Sequence, residues 1–179
     1  MKIGTRLPGF AGDIGFDGYC AWLADNEFDA VDTPPLTAQI ARTCAQYGLA
    51  IGTCDAGAGG LLSRDAAKRR KALSELKKQL TAMAKHGGHT YFTVLGPDDG
   101  SMPRAETFEI FKKIYPKVVE HAEKVGIKIA IEPWPGGSPH LPNLGCSPES
   151  LRRIFEAIPS PNLGICYDPS HFLRIQVDY

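Results

Sequence analysis

Six short apolar or β-branched runs alternate with amphipathic stretches along the chain, and their starts recur at a mean spacing of about 32 residues. Neither a dinucleotide nor a nucleotide-phosphate fingerprint follows any of them. Together these observations predict an α/β protein of the (β/α)8 TIM-barrel type, incomplete, with about six βα units present. Strand-then-helix alternation implies right-handed crossovers and a parallel sheet. A complete barrel needs around 250 residues, so six units make roughly three quarters of one. The competing architecture, an open doubly wound sheet, would carry G-x-G-x-x-G after its first strand. The chain instead reads Leu7-Pro8-Gly9-Phe10-Ala11-Gly12, and no G-x-x-x-x-G-K occurs.

The predicted strands are Lys2–Arg6, Phe28–Asp32, Ala50–Cys54, Thr90–Leu95, Ile127–Glu132 and Asn162–Asp168. Helical periodicity fills the gaps at 16–25, 36–47, 64–86, 105–125 and 148–157. In the fourth of these, Phe108, Phe111, Tyr115, Val118, Ala122 and Val125 recur at three- and four-residue steps, a buried stripe. Pro116 interrupts that stripe and is expected to kink or split the helix. Ser147-Pro148-Glu149 reads as a helix start: a hydroxyl cap, proline at the first position, then an acid. Gly48, Gly87 and Gly126 read as helix stops.

Composition excludes several classes. With 20 basic and 20 acidic residues, the formal net charge of +0 offers no footprint for nucleic acid or an anionic membrane. The one basic run, Lys68-Arg69-Arg70-Lys71, falls on a helical pattern and reads as a solvated face. Five scattered cysteines form no C-x-x-C pair, so neither a structural zinc site nor a disulfide framework is expected. MKIGTRLPGF has no long apolar core, and no stretch approaches a membrane span, so a cytoplasmic protein of one domain is expected.

In either α/β architecture ligands bind at the carboxyl ends of the strands. The residues there are Arg6, Asp32-Thr33-Pro34-Pro35, Cys54-Asp55, Gly96-Pro97-Asp98-Asp99, Glu132-Pro133-Trp134 and Asp168-Pro169-Ser170-His171. So many acids at one end repel one another, and a bound divalent cation would relieve them. Glu132 ends a buried-looking strand, where a carboxylate needs a partner: a metal, a catalytic proton or a salt bridge. Asp168 and His171 lie three residues apart on the next strand tip, although Asp-Pro-Ser is also common turn chemistry. Carboxylates with imidazole suit Mn²⁺, Mg²⁺, Co²⁺ or Zn²⁺. Gly57-Ala58-Gly59-Gly60 could offer backbone N–H groups to a phosphate or simply be a flexible loop. His140 and the Pro97-Asp98-Asp99-Gly100 turn read as loop features.

IAIEPW, followed about thirty residues later by NLGICYDPSH, resembles the sugar phosphate isomerase/epimerase superfamily, the xylose isomerase-like TIM barrels. MKIGTRLPGF, NEFDAVDTP and SPESLRRIFEAIPSPNLGI are similar to that family too, in order along the whole chain. The resemblance implies one partial barrel domain over residues 1–179, lacking the last two βα units. It implies that Glu132 is both metal ligand and acid/base catalyst, that Asp168 is a second metal ligand, and that His171 and Trp134 contact substrate. The implied cofactor is a divalent metal, Mn²⁺ foremost, and the implied chemistry is sugar or sugar phosphate isomerisation or epimerisation through an enediolate. Further ligands from a seventh and eighth strand are not in the sequence, so the chain alone is expected to be a poor catalyst. Its first and sixth strand edges would be open to homo-oligomer formation. Two alternatives stand beside this reading. One is a non-catalytic α/β ligand-binding module. The other is an endonuclease IV-like metal-dependent phosphodiesterase, disfavoured by neutral charge and by the lack of histidines at the third and fourth strand tips.

Overall fold

The computed structural model describes residues 2–56 and 59–178. Its elements are β1 (Gly4–Thr5), α1 (Ala11–Asp25), β2 (Ala30–Thr33), α2 (Ala38–Gln46), β3 (Ala50–Cys54), α3 (Ala66–Lys85), β4 (Thr90–Thr93), α4 (Arg104–Val125), β5 (Lys128–Ile131), α5 (Pro148–Ala157), β6 (Leu163–Ile165) and α6 (Pro169–Arg174). All strand pairs are parallel, and their spatial order is β1-β2-β3-β4-β5-β6. A doubly wound sheet reverses its order at a switch point. This sheet never does, and an unreversed order is that of a barrel wall.

Strand alternation sorts the side chains onto two faces. Val31, Tyr91, Ile129, Ile131 and Leu163 point to the helices and are buried. The registers Gly4↔Ala30, Phe92↔Ala130 and Ala130↔Gly164 put mostly small residues on the other face. By the same alternation Arg6, Asp32, Phe92, Glu132, Cys166 and Asp168 stand on that face near the carboxyl ends. The hydrophobic core thus lies between sheet and helices in two parts. One joins α3, α4 and α5 to β4–β6, and the other joins α1 and α2 to β2.

Several local signals act as their chemistry dictates. Ser147 caps α5 by accepting from the Ser150 N–H at 3.2 Å, and Ser150 Oγ accepts in return from the Ser147 N–H at 3.0 Å. Asp65 caps α3, and Gly126 ends α4 at φ 77°. Within α1 the backbone breaks at Gly15, with φ 72° and ψ 163°, so regular helix begins at residue 16 as its pattern predicts.

Pro116 does not split the helix: α4 runs unbroken from Arg104 to Val125 across it. Proline removes one N–H from the ladder, but here it faces solvent together with Lys112. Water can serve the freed carbonyl, while buried Phe111, Tyr115, Val118 and Val119 hold both halves to the core. The basic run behaves as a solvated face, with Lys68, Arg70 and Lys71 exposed on α3. Of the glycine-rich loop, Gly57 and Ala58 lie outside the described residues. No helix among the described residues is long and apolar enough to cross a membrane.

Candidate functional site

Glu132 follows β5 directly, and its N–H continues the ladder by donating to the Thr93 carbonyl at 2.9 Å. Period-2 alternation, with Ile129 and Ile131 buried on the helix side, turns its carboxylate to the opposite face. The Cys166 N–H likewise donates to the Ile131 carbonyl at 2.9 Å, carrying β6 alongside. Asp168 then caps α6, its Oδ1 accepting from the Ser170 N–H at 2.9 Å. One helical turn later His171 returns to the same side, as positions three apart do.

The outcome is a convergence. Glu132, Asp168 and His171 each offer one ligand atom, and these three atoms lie within 4.8 Å of one another. His171 Nε2 is 3.5 Å from Asp168 Oδ2 and 3.7 Å from Glu132 Oε1. Those separations exceed good hydrogen-bond lengths, so the imidazole approaches both carboxylates without being bonded tightly to either. His171 and Glu132 side chains are 19% and 18% exposed, sheltered yet reachable. Hydrogen bonds from Ser170, its side chain foremost and then its backbone N–H, hold the Asp168 carboxyl below its ordinary range, against partial burial and with help from His171.

Not every acid at this end awaits an outside cation. Arg6 Nη2 reaches Asp55 at 3.0 Å, and Nη1 lies 3.9 Å from Asp32. Lys68 pairs with Asp98 at 2.5 Å, and Arg64 bridges Asp99 at 2.6 Å and Glu106 at 2.7 Å. The mutual repulsion expected at the strand tips is therefore met from within the chain at Asp32, Asp55, Asp98 and Asp99. Trp134 is 38% exposed beyond Pro133, and its carbonyl accepts from Asn143 Nδ2 at 3.2 Å. His140 is exposed in its loop.

Two residues in the cleft escaped the sequence reading. Phe92 lies under the Arg6 guanidinium, with 3.8 Å from Cζ to the ring centre. Cys166 carries a thiol pushed up by burial and then by the charges of Glu132 and Asp32. Alternation along Gly164-Ile165-Cys166-Tyr167-Asp168 was the available signal for the cysteine.

A family model described as "Xylose isomerase-like TIM barrel" matches residues 9–178. The chain belongs to that family. No curated protein matches it significantly. Among solved structures it is similar to D-psicose 3-epimerase, determined in the presence of D-fructose, at TM-score 0.77 and 19% identity, covering 100% of this chain and 67% of that one. It is also similar to 3-keto-D-glucoside 4-epimerase from E. coli, at TM-score 0.79 and 18% identity, covering 100% and 72%. L-ribulose 3-epimerase aligns at TM-score 0.78 and 18% identity, covering 99% and 64%. At such identities the likeness is one of fold. The family member described here spans about two thirds of the length of these epimerases.

Proposed function

We propose that this chain carries the metal-binding, acid/base flank of a sugar isomerase or epimerase site. The convergence of Glu132, Asp168 and His171 carries the reading. Their chemistry fits a divalent ion. A first-row ion with ligands near 2.0–2.2 Å spaces its donors roughly 3–4 Å apart, and here two carboxylate oxygens and an imidazole nitrogen lie within 4.8 Å of one another, with no lysine or arginine among the described residues paired to them. The oxygen-rich set suits Mn²⁺, with Mg²⁺, Co²⁺ or Zn²⁺ as alternatives. Such an ion, when bound, supplies a Lewis acid for a sugar carbonyl and its neighbouring hydroxyl.

The chain's own residues do the rest. Glu132, sheltered at the tip of β5, removes a proton from the carbon next to the carbonyl; its return to the former carbonyl carbon gives isomerisation, and protonation by an acid on the opposite face gives epimerisation. Asp168 is fixed as acceptor by Ser170, so its free oxygen keeps one direction. His171 lies within reach of both carboxylates and can donate to a substrate oxygen between them. Trp134 offers an exposed aromatic face to the sugar's apolar side.

The experiment is a thermal unfolding titration with Mn²⁺. We expect Tm to rise with ion concentration, and the rise to disappear in Glu132→Ala. An unchanged Tm at millimolar Mn²⁺, or an undiminished rise in the variant, would sink the reading and leave a non-catalytic ligand-binding module as the better account.

A further inference from the structure

Outside the cleft, a cavity of about 250 Å³ opens between α4 and α5. Arg104, Ala105 and Phe108 line it from α4, Leu144 from the loop before α5, and Arg153 and Ile154 from α5 itself. Arg104 and Phe108 stand four residues apart on one helix, so they share a face. Arg153 reaches across from the other helix and lays its guanidinium over the Phe108 ring, with Cζ 4.6 Å from the ring centre. The ring itself is stacked on fully buried Phe111, at 5.9 Å between centroids, and so forms a fixed wall. Arg104 is tethered as well: its Nε donates to the Leu141 carbonyl at 2.9 Å, which leaves its Nη pair for another acceptor.

These two arginines differ from those at the strand tips. Arg6 and Arg64 each hold two carboxylates. Among the described residues, no carboxylate comes within ion-pairing distance of Arg104 or Arg153. Lys112, 5.5 Å from the same ring, is bound by Glu109 at 2.7 Å and adds little net charge. The cavity therefore has two guanidinium forks on opposite walls, the donor geometry that matches a carboxylate or phosphate.

Charge and shape decide between those anions. Glu149 also lines the cavity, so its two positive charges face one negative. A monoanion is balanced by that set, whereas a doubly charged phosphate is opposed by the glutamate. The Ser147 and Ser150 hydroxyls at the rim are engaged with each other in the α5 cap. The remaining wall of Ala105, Phe108, Leu144 and Ile154 is apolar. A bare inorganic ion would leave that wall wet, and a compact apolar body behind the anionic head would cover it.

We infer that the α4–α5 cavity is a second ligand site, for a small organic acid: one carboxylate held by Arg104 and Arg153, with its apolar body against Phe108, Leu144 and Ile154. It shares no lining residue with the Glu132, Asp168 and His171 convergence and does not rest on the metal reading.

The test is an NMR titration of isotope-labelled protein with benzoate, with benzamide as the uncharged counterpart and inorganic phosphate as the bare anion. Benzoate should shift the amide signals of Ala105, Leu144 and Arg153 and saturate with a dissociation constant on the order of 1 mM. Benzamide and phosphate should each bind about tenfold more weakly. Both arginines are exposed, so their replacement spares the core. Arg104→Gln and Arg153→Gln should each weaken benzoate about fivefold. Glu149→Gln should tighten it about twofold, a gain that misfolding cannot mimic. Glu132→Ala should leave it unchanged. The inference is overturned by benzamide matching benzoate, by phosphate binding more tightly, or by the absence of any saturable shift. Affinity indifferent to both arginine variants and to Glu149→Gln, or lost with Glu132, overturns it too.

Discussion

The two flanks of the cleft are both rich in acids, yet they are balanced in different ways. On the β1–β3 side, Asp32 and Asp55 share Arg6, a cation that stays charged at any pH the protein meets. On the β5–β6 side, Glu132 and Asp168 share His171, whose charge depends on protonation and which stands 3.5–3.7 Å away. The first flank is complete as folded. The second has donors converging on a point with no lysine or arginine paired to them among the described residues. Acids at strand tips are therefore no sign of a metal by themselves; the nature of the nearest base decides which group is left wanting a cation.

The difference can be broken most forcefully at Gly52. A methyl group there would overlap Asp32 Oδ1 and come within 3.2 Å of the Val31 carbonyl. Gly52→Ala must displace the carboxylate that accepts the Thr53 N–H, and we expect a loss of about 2 kcal/mol in urea unfolding. Because the damage stays on the Arg6 flank, the increment of stability proposed for Mn²⁺ should persist. Loss of that increment as well would show that the flanks are one coupled network.

The sheet and its helices were legible because their signals are local. Period-2 and period-3.6 patterns located six strands and five helices, and Ser147-Pro148 marked the start of α5. Strand lengths were overread. Lys2–Arg6 reduces to Gly4–Thr5, and Asn162–Asp168 to Leu163–Ile165. Both are edge strands with one neighbour, so their ends leave the ladder sooner than their apolar residues suggest. Glu132, Asp168 and His171 were legible for a related reason: the first two end adjacent strands, and the third sits one helical turn beyond. The Arg6–Asp55 pair was not. It joins residues 49 apart in sequence and two strands apart in the sheet, and no periodicity announces which basic residue will meet which acid.

A gentler change sharpens the contrast at Phe92. Phe92→Leu keeps much of the apolar volume but removes the aromatic face beneath Arg6. A loss of about 0.5–1 kcal/mol in unfolding free energy is expected, again without effect on Mn²⁺ binding. An unchanged stability would mean that the two carboxylates alone hold Arg6 in place.

The smallest effect concerns protonation on the other flank. The Asp168 carboxyl sits below its ordinary value of 3.8, chiefly through its bonds from Ser170. A depressed folded-state value means that the ionised carboxylate stabilises the fold fully above the ordinary range. That contribution fades as pH falls through the folded value. Asp168→Asn preserves a cap for α6 but cannot ionise. Metal-free wild type should therefore lose stability faster than Asp168→Asn as pH is lowered from about 5 towards 2, and unfolding curves across that interval measure the difference. Because the side chain is 38% exposed, solvent screening keeps the effect below that of Phe92→Leu. Parallel pH profiles would mean that Ser170 bonds the neutral and ionised carboxyl equally well. Asp168 would then be held by turn geometry alone, and its charge would add nothing to the stability of the β5–β6 flank.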